Sequence, residues 1–171
     1  MCVFVMNKSI AQKSIYDYKV QDINGDEFYF SKYEGYKIMI VNTASKCGLT
    51  PQYEQLEEIY NQYAENKFII IGFPSNDFMK QEPGDNTEIA EFCQKNYGVS
   101  FPMMSKVIVK GDDKCELYKF LTSNSLNGYM DSNVKWNFQK YLIGRDGKLE
   151  KVISPKTLPN DSEIIEWITK E

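Results

Sequence analysis

Histidine is missing from all 171 residues. Ser-His-Asp and Cys-His catalysis, imidazole-ligated zinc or haem and histidine pH switching are excluded with it. Arginine is almost as scarce: Arg145 stands alone, so planar, bidentate capture of phosphates or carboxylates has little to draw on. The four cysteines, Cys2, Cys47, Cys93 and Cys115, contain no CxxC pair. They are too few and too widely spaced for a disulfide-stapled secreted domain, for a zinc ribbon or for thioredoxin-type dithiol chemistry. Long apolar runs are lacking as well. The opening stretch Met1 to Met6 meets Asn7 and Lys8 at once, shorter than a signal-peptide core and far shorter than a membrane span. A net charge of −4 with scattered lysines argues against a nucleic-acid surface, which needs a basic patch. These exclusions point to a cytoplasmic protein with free thiols, no nucleic-acid partner and no membrane insertion.

What is present is a core. Apolar residues make up 42% of the chain, charged residues 26% and aromatic residues 14%, the balance of a folded domain. A short tail, residues 1–14, is expected to precede a single domain at 15–171, with no repeat, low-complexity tract or linker. Residues 16–20 and 27–31 flank Asn24-Gly25 and predict a small N-terminal hairpin. Residues 36–43 (YKIMIVNT) and 67–73 (KFIIIGF) are near-continuous apolar runs, as in strands buried on both faces. Between them, Thr50-Pro51 is expected to cap a helix over 51–66 carrying Tyr53, Leu56, Ile59, Tyr60 and Tyr63 on one face. That is a β-α-β unit, expected to be parallel and right-handed.

Further along, a second helix is predicted at 87–97 with Gly98 as its cap, a strand at 103–109, a short helix at 115–122 and a loop at 124–133. Residues 138–143 and 148–153 alternate around Arg145-Asp146-Gly147, a hairpin-turn signal, and an amphipathic helix closes the chain at 160–170. The plan is α/β, a central mixed sheet flanked by helices. A thioredoxin-like sheet fits it, and periodicity alone leaves a flavodoxin-like sheet open.

Cys47 falls in Ser45-Lys46-Cys47-Gly48, after a buried strand and before the first helix. Free backbone N–H groups and the helix dipole favour a thiolate there, and Lys46 adds positive charge. The plain alternative is an inert cysteine filling a strand end. With no imidazole available, a reactive Cys47 needs neutral donors, and two loops supply amides and an indole: 73–84 (FPSNDFMKQEPG) and Trp136-Asn137-Phe138.

Taken together, NTASKCGLT at 42–50, FPSNDF with its QEPG, and WNF resemble, in order and spacing over about residues 15–171, the signature segments of the glutathione peroxidase family. The resemblance implies that Cys47 is the peroxidatic residue and that Gln81, Trp136 and Asn137 complete a catalytic tetrad. It implies attack of the thiolate on a peroxide O–O bond to give a sulfenic acid, with no cofactor. Cys93 then matches the resolving cysteine of members that form an internal disulfide and draw on thioredoxin. Its helix must open locally for that, since a disulfide holds Cα atoms within about 7 Å. Three departures stand out: Ser75 in place of a common cysteine, Asp77 in place of glutamine, and Met79-Lys80 in place of a Gly-Gly pair. The short segment before WNF implies a monomer.

The scarcity of arginine points to a thioredoxin-like protein reductant, with glutathione, held by lysines, as the alternative donor. A peroxiredoxin fits less well, lacking a Pro-Thr approach and a nearby arginine. A redox sensor or relay would use the same residues and pass the oxidation to a partner protein. Cys2 and Cys115 match nothing catalytic.

Overall fold

The computed structural model describes residues 13–170, so Cys2 lies outside the described residues. Two sheets form: a two-stranded antiparallel hairpin, β1 (Lys19–Gln21) with β2 (Glu27–Tyr29), and a four-stranded mixed sheet. In the mixed sheet β3 (Lys37–Thr43) lies parallel to β4 (Phe68–Pro74) on one side and antiparallel to β5 (Lys140–Ile143) on the other, with β6 (Leu149–Ile153) at the edge. The first helix, α1 (Gln52–Tyr63), makes the crossover between β3 and β4. No helix of the described residues is long and apolar enough to cross a membrane.

Every residue of β3 and β4 is buried, because helices and loops cover both faces of the sheet. The period-2 pleat divides the core. Met39 and Val41 face Tyr53, Leu56 and Ile59 of α1, Ile89 and Cys93 of α2 (Asn86–Tyr97) and Ile164 and Ile168 of α5 (Ser162–Thr169). Ile38 and Ile40 face the other way, towards Leu117, Tyr118, Phe120 and Leu121 of α3 (Glu116–Thr122) and Phe30 beside the hairpin. The second helix is fixed at both ends by local chemistry. Asp85 and Glu88 form a reciprocal capping box, and Gly98, at φ +62°, closes the C-terminus.

Two expectations are corrected. The strand predicted at 103–109 is reduced to isolated bridges, Gly72 with Met103 and Asp22 with Met104. Its backbone groups are divided between two neighbours: Met104 N–H donates to Gly72, Ser105 N–H to Gln21 and Val107 N–H to Pro74, so no continuous ladder forms. The predicted loop 124–133 begins with a one-turn helix, α4 (Asn124–Asn127), ended by Gly128 in the left-handed region.

On β5 sits the least expected core residue. Lys140 is 0% exposed, and burial, unrelieved by any carboxylate among the described residues, pulls its pKa down to about 7 from 10.5. Between those two values the unfolded chain keeps a proton that the folded protein releases, so folding stability rises with pH across that window. Urea unfolding of the wild type is expected to give a larger free energy at pH 9 than at pH 7. Lys140→Met, which buries no charge, is expected to lose that rise; parallel curves for the two proteins would contradict the assignment.

Candidate active site

The functional side chains gather at the C-terminal end of β3, where the chain must turn from a buried strand into α1. Thr50 makes the turn. Its hydroxyl accepts the Cys47 N–H at 3.0 Å and donates to the Ala44 carbonyl at 2.8 Å, while its N–H donates to the Cys47 carbonyl at 3.0 Å. Thr50 was expected to cap the helix; instead Pro51 occupies the N-cap position without a side-chain cap, and the Thr50 hydroxyl braces the cysteine loop. Cys47 is left 8% exposed, and its Sγ accepts the Leu49 N–H at 3.3 Å. A backbone donor therefore touches the sulfur directly.

Two other loops close on this turn. The Lys46 N–H donates to the Gln81 carbonyl at 2.9 Å, and the Ser45 hydroxyl donates to Glu82 at 3.0 Å, so the 76–84 loop is held to the residues just before Cys47. Burial raises the Glu82 pKa against the Ser45 hydrogen bonds and the nearby Lys106 and Lys46 charges. The third loop is held by Asn42, a fully buried carboxamide near the end of β3. Its Nδ2 donates to the Trp136 carbonyl at 3.1 Å, its Oδ1 accepts the Gln139 N–H at 3.1 Å, and its own carbonyl accepts the Phe138 N–H at 2.6 Å.

The two loops meet in one side-chain hydrogen bond: Asn137 Nδ2 donates to Gln81 Oε1 at 2.9 Å. With its oxygen occupied, Gln81 keeps its Nε2 donor uncommitted among the described residues, and buried Asn137 Oδ1 has no partner there. Trp136 packs against Phe78, ring centroids 5.4 Å apart, and shares with Cys47 a cleft of about 520 Å³ that Pro155 and Lys156 also line.

The structure thus gathers three of the four expected tetrad members, Gln81, Trp136 and Asn137, with the loop that carries Cys47. Cys93 is placed differently. It lies on α2, 2% exposed, in the same core cluster as Cys47 and Tyr53, and both cysteines are free thiols. Burial pushes its thiol up to about 11, with the Tyr53 hydroxyl beside it opposing the shift and the Glu82 charge adding to it. Among the described residues, neither the Tyr53 hydroxyl nor the Thr43 hydroxyl near it completes a hydrogen bond of normal geometry. Cys115, at the N-cap of α3, is partly buried and apart from this cluster.

Sequence reasoning passed over Asn42, Thr50 and Glu82 as site residues. Each lay inside a quoted motif, and the available signal was polarity where burial was expected, as in Asn42-Thr43 at the end of an apolar strand. Met79 and Lys80, which replace a Gly-Gly pair, both adopt the left-handed region at φ 51° and 54°. The loop keeps a shape suited to glycine while carrying side chains that resist it.

The mixed sheet, its crossover helix and its flanking helices make a thioredoxin-like fold. A thiol:disulfide interchange protein of the thioredoxin family from Chlorobium tepidum aligns with a TM-score of 0.57 at 16% identity, over 88% of this chain and 92% of that one. A nearer likeness is the crystal structure of Trgpx in its apo form, with a TM-score of 0.71 and 38% identity over 91% of this chain and 95% of the other. The glutathione peroxidase family matches residues 15–122, a span that includes Cys47, Gln81 and Cys93. The glutathione peroxidase homolog BsaA of Halalkalibacterium halodurans is 50% identical over 146 residues, 85% of this chain and 92% of its own. Glutathione peroxidase-like peroxiredoxin 2 of Saccharomyces cerevisiae is 44% identical over 159 residues, 92% and 98% of the two chains. The chain belongs to the glutathione peroxidase family, and its class is that of a peroxidase.

Replacing Met79 or Lys80 with glycine is expected to relieve the left-handed strain and raise stability by about 1 kcal/mol at each position. Denaturant midpoints would read it, and a fall in stability would show that the side chains contribute more than the backbone loses.

Proposed function

We propose that the protein reduces hydrogen peroxide and organic hydroperoxides, lipid hydroperoxides among them, through Cys47, and is recycled by a thioredoxin-like dithiol protein. The thiolate of Cys47 attacks one peroxide oxygen, the O–O bond breaks, and the departing alkoxide or hydroxide takes up a proton and leaves as alcohol or water. Cys47 becomes a sulfenic acid. Cys93 then attacks the oxidised sulfur, its thiol proton and the sulfenic hydroxyl leave together as water, and a Cys47–Cys93 disulfide remains. A reduced dithiol protein returns both cysteines to thiols by two exchange steps, its own pair being oxidised.

The observation that carries this reading is the Asn137–Gln81 hydrogen bond at 2.9 Å beside a loop pinned to Lys46. It commits the Gln81 oxygen and turns that side chain into an amide donor. In this role Gln81 and the Trp136 indole N–H stabilise charge on the sulfur and the departing oxygen, with Asn137 orienting Gln81. No charged base is required, which suits a chain without histidine.

Cys93 is assigned the resolving role on its place in the core cluster that also holds Cys47. Its burial and its pKa of about 11 require α2 to open before it reacts, as local unfolding allows. The same need for opening favours a second reading: a sulfenic acid that waits for Cys93 can instead be captured by a thiol of a partner protein, as in a relay.

Peroxide-dependent NADPH oxidation with thioredoxin and thioredoxin reductase is the test. Cys47→Ser is expected to abolish turnover, and Gln81→Ala to slow oxidation of Cys47 by about 100-fold, the usual effect of one lost transition-state donor. Cys93→Ser is expected to consume one equivalent of peroxide and then stop with thioredoxin as donor. Undiminished turnover in Cys47→Ser would overturn the enzyme reading. Mixed disulfides of Cys93→Ser with a protein other than thioredoxin would favour the relay.

A further inference from the structure

Met79 and Lys80 are the two central residues of the tight turn that delivers Gln81. The Gln81 N–H donates to the Phe78 carbonyl at 3.1 Å and closes the turn, with both central residues at positive φ, 51° and 54°. Two positive φ angles mark a type I′ turn, which glycine and asparagine fill readily and which the side chains of Met and Lys resist. Strain is therefore held next to the residue whose aim the site depends on.

Both ends of the turn are anchored. Upstream, Phe78 is buried against Trp136, and the Asp77 carboxylate accepts the Val109 N–H at 2.6 Å and the Lys110 N–H at 3.2 Å. Downstream, the Gln81 carbonyl accepts the Lys46 N–H at 2.9 Å. Next to it the Glu82 N–H donates to Asn76 Oδ1 at 2.9 Å, and the Glu82 carboxylate accepts the Ser45 hydroxyl at 3.0 Å. Glu82 is the one buried carboxylate among the described residues, 1% exposed. Taking such a group out of water is unfavourable unless it is bonded, and the partner it has is Ser45, two residues before Cys47.

We propose that Glu82 is a positioning residue for Gln81: by bonding Ser45 it holds the downstream end of the strained 79–80 turn against the cysteine loop, so that the strain is not relieved by moving Gln81 away from Cys47. The inference rests on the reading of Gln81 as a donor at Cys47. Without the carboxylate, the upstream end stays fixed by Asp77 and Phe78, and relaxation at 79–80 passes to residue 81. The Asn137–Gln81 hydrogen bond is then stretched or lost. With glycine at both central positions there is little strain to pass on, and the bond to Ser45 becomes dispensable. The need for Glu82 is thus tied to the side chains that this chain carries at 79 and 80.

The experiment follows loss of the Cys47 thiol in a single turnover with hydrogen peroxide, in wild type, in Glu82→Ala, in the pair Met79→Gly with Lys80→Gly, and in the three changes combined. Glu82→Ala should slow oxidation about tenfold, the effect of a displaced donor. The glycine pair alone should leave the rate unchanged, and in the Glu82→Ala background it should restore most of what was lost. Glu82→Gln, which keeps an oxygen for Ser45, should also recover most of the rate. A wild-type rate in Glu82→Ala overturns the proposal, and so does a slowed Glu82→Ala that gains nothing from the glycine pair. If Glu82→Ala does not fold, Ser45→Ala takes its place with the same outcomes. Hydrogen exchange of the Lys46 and Gln81 amides separates the proposal from the peroxidase reading. Faster exchange in Glu82→Ala, slowed again by the glycine pair, supports it even if no peroxide is reduced. Exchange unchanged in Glu82→Ala overturns it.

Discussion

The carboxamide of Asn42 is the joint on which the site depends. Near the last position of a fully buried strand, it makes two hydrogen bonds to the backbone of residues 136–139, and the Asn42 main-chain carbonyl accepts a third from the Phe138 N–H, so that a loop from about ninety residues downstream is brought to the end of β3. From there the remaining contacts follow. Asn137 reaches Gln81, the Gln81 carbonyl accepts from Lys46, and Cys47 stands next in the chain. A buried amide without partners would cost about 1–3 kcal/mol; Asn42 is tolerated in the core because the WNF loop satisfies it, and the loop is ordered because Asn42 is there.

The lack of histidine becomes informative against this geometry. A site without imidazole cannot borrow a mobile proton from a side chain that titrates near neutrality. It has to hold neutral donors in place. Beside Cys47 the protein places carboxamides, an indole and a backbone N–H, with Asn137 bonded to Gln81 and the Leu49 N–H on the sulfur. The buried Lys140 ammonium is likewise held, among the described residues, by carbonyl and amide oxygens and not by a counter-ion.

Much of this was legible in the chain. Apolar runs at 36–43 and 67–73, the helix between them and the Asp-Gly turn at 146–147 located the sheet, because burial on both faces leaves an unbroken apolar signature. The place of Cys47 between strand and helix was legible from the apolar run before it, and the meeting of Gln81, Trp136 and Asn137 near its loop is the arrangement that the motif resemblance implied. What stayed hidden were long-range exchanges of hydrogen bonds. The segment 103–109 has the composition of a strand, but its donors are shared between Gly72, Gln21 and Pro74. Thr50 has the look of a helix cap and serves the cysteine loop. Lys140 reads as an ordinary polar position in an alternating strand; its three acceptors come from α1 and from residues 155–157, neither of which adjoins it in sequence.

The central claim is that Cys47 and Cys93 form one reacting pair in spite of the burial of Cys93. Mass spectrometry of the protein treated with one equivalent of hydrogen peroxide, digested after trapping of free thiols, tests it most directly. The account predicts a peptide pair linked through Cys47 and Cys93, with Cys115 still free. Cys47 recovered as sulfinic acid or unmodified, with Cys93 as a free thiol, would contradict it.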